Sequence, residues 1–446
     1  MDVPVTSPDV VVVGGGPAGA VAATLLADDG HRVVVLERDR FPRYHIGESL
    51  LSATMPILDL VGALEKVEAH GFLRKPGGTF HWGRQKEPWS FYFREDPGGR
   101  PYSFQVVRSE FDKILLDNAR EHGAAVFEEH SVTRVDTDHP TPVVQVRRAD
   151  GREFRLTPRF LLDASGQNAV IGASRKIRTF NEFFKNLAIF GYFEGAERLA
   201  GELANHVFSC AFGDGWFWYI PLHDGTMSVG AVVDVKRWRE IAQSDPATTF
   251  HDLISRCPPI ASRLRAATLV SPVRLIRDYS YEAKQFNGPG WLLAGDAAAF
   301  IDPVFSTGVH LACLSAFLGA RAISRVLRGE EDETTARAAH ELQYRTAFDR
   351  YLRFVTFFYD HNVDADSYFW TARRILTHAA DGLDERAAFV RLISGGGDRE
   401  QLPELDTLLS KEHDRWASAI ESGRASALPG VDLLRVQLTR KMLHDA

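Results

Sequence analysis

The stretch from Val10 to Glu37 leaves this chain few folds to choose from. Val10 to Val13 is an uninterrupted β-branched run, the pattern of a strand buried on both faces of a parallel sheet. It leads into Gly14-Gly15-Gly16-Pro17-Ala18-Gly19, with glycine at the first, third and sixth positions. Ala18, Ala22, Leu25 and Leu26 then recur at helical spacing, Gly30 ends the helix, and Val33 to Leu36 forms a second buried strand followed at once by Glu37. Glycines let the backbone approach a pyrophosphate, the helix start offers unpaired N–H groups, and an acid after the second strand accepts from a ribose hydroxyl. A lone glycine motif says little. Strand, motif, helix, strand and acid in this order predict a Rossmann-like nucleotide-binding unit, with Gly14, Gly16, Ala18, Gly19, Glu37 and Arg38 as expected contacts.

The 446 residues, 45% hydrophobic and 25% charged, suffice for one large or two linked cores. A net charge of -7 without any Lys/Arg run argues against a nucleic acid or membrane-surface partner. Cys210, Cys257 and Cys313 are scattered and odd in number, which argues against both a disulfide framework and a clustered metal site and fits a reducing cytoplasm. No metal is expected. Met1 to Pro8 has no basic region ahead of an apolar one, so no secretory signal is expected. Val10 to Ala27 is uncharged and about as long as a membrane span, but its four glycines and one proline read as strand, turn and helix.

Further along, Ser49 is expected to cap a helix over Leu50, Leu51, Ile57, Leu58 and Leu60, kinked at Pro56. Residues 71–100 read as loops and short antiparallel strands. Ser109-Glu110-Phe111-Asp112 resembles a capping box, followed by a helical face of Phe111, Ile114, Leu115 and Ala119. Phe160 to Asp163 is a buried strand entering Ala164-Ser165-Gly166, and Trp291 to Ala294 is another entering Gly295-Asp296. Residues 187–233 read as consecutive strands, a long apolar helix starts at about Val309, and an Arg-, Glu- and Ala-rich helical composition follows Gly329. The expected class is α/β. A discontinuous nucleotide-binding module spans 1–330, with inserted antiparallel-sheet segments at about 70–105 and 180–285, and a C-terminal helical cap spans 331–446.

Within the second inserted segment lies Gly215-Trp216-Phe217-Trp218-Tyr219-Ile220-Pro221. On a strand, Trp216, Trp218 and Ile220 share one face and Phe217 and Tyr219 the other. Such a strand either divides two compartments or is simply a core strand of a large sheet.

At Gly14 to Gly19, Arg108, Asp163 to Gly166 and Gly295-Asp296 the chain resembles FAD-binding oxidoreductases of the para-hydroxybenzoate hydroxylase and geranylgeranyl reductase type. That resemblance places Asp296 on the ribityl or phosphate chain of FAD and makes Arg108, Asp163, Gly166 and Gly295 cofactor contacts. Within that superfamily, Trp216-Phe217-Trp218-Tyr219-Ile220-Pro221 is similar to the W-x-W-x-I-P signature of flavin-dependent halogenases. His45-Ile46-Gly47-Glu48-Ser49 is similar to their flavin strap, which makes Ile46, Gly47, Glu48 and Ser49 cofactor-binding. Lys75 stands where these enzymes carry an essential lysine, and Asp302-Pro303-Val304-Phe305-Ser306-Thr307-Gly308 resembles their loop before the long helix. Tryptophan-type members have a Glu-Ser pair where this chain has Phe305-Ser306. Residues 186–193 and 215–222 are closer to the branch acting on phenolic or pyrrolic rings, many of whose substrates ride on carrier proteins.

The resemblance implies an enzyme that receives FADH2 from a separate flavin reductase and uses chloride or bromide as co-substrate in natural-product biosynthesis. The backbone of Ser306, Thr307 and Gly308 would hold the halide, because a helix start presents free amides and a positive dipole end. Trp216, Trp218, Ile220 and Pro221 would keep the organic ring off the flavin, and Lys75 would hold the oxidised halogen by hydrogen bonding or as a chloramine. His81, His206 and His310 are unranked as bases that activate the substrate. Arg373, Arg374, Arg386 and Arg391 in the helical tail are either a docking face for an acidic carrier or a solvated surface. The competing readings are an aromatic monooxygenase or reductase of the same fold, and a flavin-bearing protein that recognises a carrier without catalysis.

Overall fold

The computed structural model describes residues 8–397 except 140, 243–244, 278–279, 362–363 and 377–379. Part of the expected helical cap, 398–446, therefore lies outside the described residues. The glycine motif follows the first strand of a six-stranded sheet ordered Asn287–Gly288, Trp291–Leu293, Phe160–Asp163, Val10–Val13, Val33–Leu36, Ala125–Phe127. All its pairs are parallel except that of Asn287–Gly288. The chain order reverses beside Val10–Val13, and the crevice beyond the carboxyl ends at such a point is where this architecture binds ligands. Two glycines are sterically required there. A Cβ on Gly19 would lie 1.9 Å from the Gly14 carbonyl oxygen, and one on Gly14, whose φ is +100°, would lie 2.5 Å from that of Ala164.

The two inserted segments combine into one eight-stranded sheet. Its order is Thr268–Leu269, Asn186–Glu194, Met227–Asp234, Gly215–Pro221, Val207–Phe212, Gly77–His81, Trp89–Tyr92, with Arg274–Arg277 also pairing along Asn186–Glu194. The two segments join through the parallel pairing of Gly77–His81 with Val207–Phe212. The aromatic strand Gly215–Pro221 is paired on both sides, so none of its backbone is an edge. Alternation sends Trp216, Trp218 and Ile220 into the main core, shared with the nucleotide module and the tail helices. Phe217 and Tyr219 enter a separate core with Phe250, Leu253 and Ile260. Opposite Trp218 stands Gly230, whose added Cβ would fall 2.2 Å from the indole Cζ2, and Trp218 Nε1 donates to Ser228 Oγ at 3.2 Å.

The helix Thr307–Leu327 packs between Pro17–Asp28 and Glu333–Asp360. Among the described residues it alone is long and apolar enough to cross a membrane, and 83% of that apolar window is buried inside the fold. Three tail helices follow, Glu333–Asp360, Ala365–Leu376 and Glu385–Ser394, and their aromatic side chains close over the inner face of the large sheet.

Some local expectations fail for identifiable reasons. Ser49 caps no helix. It bridges Gln105 in extended conformation, and the helix Met55–Leu60 starts later, with Pro56 in its first turn rather than at a kink. The helix expected to start from a Ser109 capping box starts at Arg108, with Val107 as its uncapped N-cap. The tail arginines divide: Arg386 pairs with Glu95 and Arg391 with Asp96, while Arg373 and Arg374 stay exposed.

Because Trp218 depends on the missing Cβ opposite it, Gly230→Ala should lower stability by about 1–3 kcal/mol, the usual penalty of overpacking. Chemical denaturation measures this, and an unchanged midpoint would show that the indole is not confined.

Candidate active site

At the nucleotide crevice, Glu37 accepts from Gly15 N at 2.7 Å and from Asp39 N at 2.8 Å, so its buried carboxylate fixes the glycine loop to the second strand. Arg38 is exposed and paired with Asp39. Helix Pro17–Asp28 starts at Gly16 with no side-chain cap, leaving its first-turn amides open. A cation stands over them: Arg43 Nη2 lies 3.3 Å from where a Gly16 Cβ would be, and Arg43 also pairs with Asp112 at 2.8 Å. The sequence carries no spacing signal for Arg43.

Buried Arg108 makes two bonds to Asp112, at 2.8 and 2.9 Å, and donates through Nη1 to the carbonyls of Ile46 at 2.7 Å and Gly47 at 3.2 Å. It thus clamps the strap to the start of its own helix. Glu48, within the strap, accepts from Tyr192 OH at 2.6 Å, and burial pushes its carboxyl up to about 7. The Ser49 hydroxyl is buried without a hydrogen-bond partner among the described residues.

The turn expected to meet the cofactor at Asp163 is held by that residue's own side chain. The Asp163 carboxylate accepts from Ser165 N, Ser165 Oγ and Ile171 N, so it holds its own turn, which bends at Gly166 with φ +62°. Gly295, with φ +60°, would bring an added Cβ to 3.2 Å from Ala18 Cβ, so the two loops touch. The half-buried Asp296 carboxylate beside it accepts no hydrogen bond among the described residues. Burial raises it to about 6, against the pull of Arg108.

In the loop before the long helix, Ser306 is left-handed at φ 59°, ψ 29°, and its N–H is already given to Pro303 O at 3.0 Å. Ser306 N is therefore not a free halide donor. Thr307 and Gly308 open the first turn, where N–H groups have no intrahelical acceptor. A Cβ on Gly308 would meet the Phe300 ring at 2.8 Å. Asp302 anchors this loop, accepting from Val304 N at 3.0 Å, Asn186 Nδ2 at 3.5 Å and Tyr359 OH at 2.8 Å, while burial pushes its carboxyl up to about 7. Tyr359 OH in turn accepts from Trp216 Nε1 at 2.5 Å. Phe305 packs against Phe80, Phe354 and Phe358 at ring separations of 5.8, 5.2 and 4.8 Å.

Lys75 ends the strand Leu73–Lys75 and is 1% exposed. Its Nζ donates to Leu50 O at 2.9 Å, just past the strap, and lies 5.3 Å from the Phe93 ring centroid. Burial pulls its amine down to about 7, with no carboxylate among the described residues to offset it. Ser103 is its direct cross-strand neighbour and Gln105 lies on the same face two residues on. Among the described residues Ser103 Oγ, Gln105 Oε1 and His206 Nε2 are all buried without hydrogen-bond partners. His206 is held by Thr79 through Nδ1 at 3.0 Å, and burial, together with the charge of Lys75, lowers it to about 4. Of the other two histidines, His81 contacts Cys210 Sγ at 3.6 Å and His310 faces Tyr351. Ser103 and Gln105 were missed because a short strand pair among loops has no readable period.

The tryptophan halogenase family model matches residues 9–100 and 95–402. A tryptophan 2-halogenase of Chondromyces crocatus is 39% identical over 401 residues, covering 87% of this chain and 76% of that protein. Sulochrin halogenase of Aspergillus terreus is 36% identical, covering 77% and 68%. The solved structure of the myxobacterial chondrochloren halogenase CndH matches with a TM-score of 0.76 at 40% identity, covering 90% and 96%. That of the flavin-dependent halogenase CmlS matches at 0.74 and 33%, covering 94% and 78%. The chain belongs to the tryptophan halogenase family of flavin-dependent halogenases. It is accordingly an oxidoreductase of natural-product biosynthesis that uses FADH2, a halide and an aromatic substrate together with a separate flavin reductase. The monooxygenase, reductase and non-catalytic readings are set aside by this membership. The open helix start, the Arg43 cation and the unpartnered Asp296 carboxylate fit the phosphates and hydroxyls of FAD.

Buried Lys75 has a pH signature. Its folded value near 7 lies below the ordinary 10.5, so between these the unfolded chain holds more protons and stability rises with pH. Lys75→Met should therefore be more stable than the parent at pH 7 and below. The gap should narrow by ~1.4 kcal/mol per pH unit up to about 10.5. Denaturant titrations across this range test it, and a gap independent of pH would mean that the amine keeps its ordinary affinity for protons.

Proposed function

We propose that the protein halogenates an electron-rich ring, a phenol in preference to a pyrrole, and that Lys75 carries the halogen to it. The observation behind this is a buried amine with one hydrogen bond, near aromatic side chains, with Phe305 where a carboxylate would be needed for a less reactive ring. A phenol or pyrrole needs little activation. Bound reduced FAD, with oxygen, supplies the oxidising power that makes the halide electrophilic.

The chain's own residues divide the remaining work. Thr307 and Gly308 amides hold chloride or bromide at the positive end of the long helix. Trp216, Trp218 and Ile220 form an apolar wall that keeps the ring from the flavin, and Pro221 ends it. At neutral pH an amine near 7 is present in both forms: the protonated form donates hydrogen bonds, and the neutral form has a lone pair for the oxidised halogen. His206 Nε2, buried and without a hydrogen-bond partner among the described residues, accepts a hydrogen bond from the phenolic hydroxyl and orients it. Gly14, Gly16, Ala18, Gly19, Glu37, Arg43, Arg108, Gly295 and Asp296 hold the cofactor, with Ile46 to Ser49 strapped across it. Presentation of the ring on a carrier protein is supported by exposed Arg373 and Arg374 on a tail helix, which suit an acidic partner.

Lys75→Ala should bind FAD as the parent does but lose halogenated product by ~100-fold or more, the scale of removing a positioned transfer group. Mass spectrometry of products from free and carrier-bound phenols and pyrroles, with reductase and either halide, tests both parts. Retained turnover in the variant would overturn the lysine's role. Halogenation of indole alone in the parent would overturn the substrate class.

A further inference from the structure

Away from the flavin crevice and the lysine, three elements bring together His70, Glu110 and His223. His70 is the last residue of the helix Leu64–His70, Glu110 sits in the first turn of Arg108–Glu121, and His223 lies in the turn after the aromatic strand. Glu110 Oε2 is 2.8 Å from His70 Nε2 and 3.2 Å from His223 Nε2, and the three ligand atoms lie within 4.8 Å of one another. Both imidazoles rest on the Phe72 ring, at centroid separations of 4.4 and 5.1 Å, and Phe72 is backed by Phe111, so the rings have a fixed apolar support.

The charges are uneven. Among the described residues Glu110 has no Lys or Arg partner and faces only the two imidazoles. Two imidazoles and one carboxylate from separate segments are a donor set suited to Zn(II) and its neighbours, leaving an open position for water. Tetrahedral bonds of about 2.0–2.1 Å place ligand atoms about 3.3 Å apart, so side-chain rotation suffices to close the cluster on an ion. His70 is exposed and Glu110 and His223 half-buried, which gives an ion a path from solvent.

We infer that His70, Glu110 and His223 form a binding site for one divalent transition-metal ion of the Zn(II) class. An ion there ties together the helix that leads to the Lys75 strand, the helix that starts with the Arg108 clamp, and the turn that ends the aromatic wall. The site is a structural staple rather than part of the halogenation chemistry, because none of its residues touches the crevice groups described above.

The test uses the FAD-loaded full-length protein, chelator-treated and then titrated with Zn(II) by calorimetry, with Co(II) absorption as a second probe. One saturable ion per chain is expected, with Co(II) bands of a four-coordinate site and a higher unfolding temperature in Zn(II). Glu110→Gln and His223→Gln should each weaken binding at least about tenfold and abolish the thermal shift. No saturable binding in the parent, or binding unchanged in both variants, would overturn the site and leave a hydrogen-bonded cluster. Because these residues are outside the proposed halogenation site, that result leaves the role of Lys75 untouched.

Discussion

The chain of hydrogen bonds from Trp216 Nε1 to Tyr359 OH to Asp302 ties together parts of the molecule that lie far apart in sequence. Trp216 belongs to the aromatic strand, Tyr359 to the end of a 28-residue tail helix, and Asp302 to the loop before Thr307–Leu327. Each member is buried or nearly so, where an unmade hydrogen bond is expensive. The aromatic strand, the loop before the long helix and the helical cover are therefore joined by a polar path through an aromatic core.

That arrangement explains how one sheet serves two cores. The strand's inner residues pack with the nucleotide module and the tail, and its outer residues complete an independent cluster under the helices of 246–263. An aromatic strand in the middle of a sheet cannot shift by one residue without exchanging Trp216, Trp218 and Ile220 for Phe217 and Tyr219. Gly230 adds a second lock, because only a residue without Cβ leaves room for the Trp218 ring. The Lys75 amine donates to the Leu50 carbonyl just past the strap, so lysine and strap are joined directly.

Much of this was legible in the sequence where the pattern is enforced by backbone sterics. The glycines at 14 and 19, the buried valines and the alternation of Gly215 to Pro221 follow from local geometry and appear as expected. What was not legible depended on contacts between distant segments. The Asp163 carboxylate accepts from Ser165 and Ile171 and so braces its own turn, a role that no local pattern announces. Ser306 was grouped with its neighbours, but a turn within the loop takes its N–H. Arg43, Tyr359, Ser103 and Gln105 acquire their positions only when strap, tail and strand pair come together. The Sγ atoms of Cys210 and Cys257, 47 residues apart, lie 3.6 Å from each other as free thiols, a proximity that spacing along the chain does not reveal.

The central claim is that the inner face of the aromatic strand separates the organic ring from the flavin. Its most direct measurement is the ratio of halogenated to hydroxylated product, with hydrogen peroxide release, in single turnovers of Trp216→Ala and Trp218→Ala beside the parent. Hydroxylated product or peroxide should rise at the expense of halogenation in both variants while FAD remains bound. Unchanged partitioning in folded, FAD-loaded variants would contradict the account and make the strand a core element only.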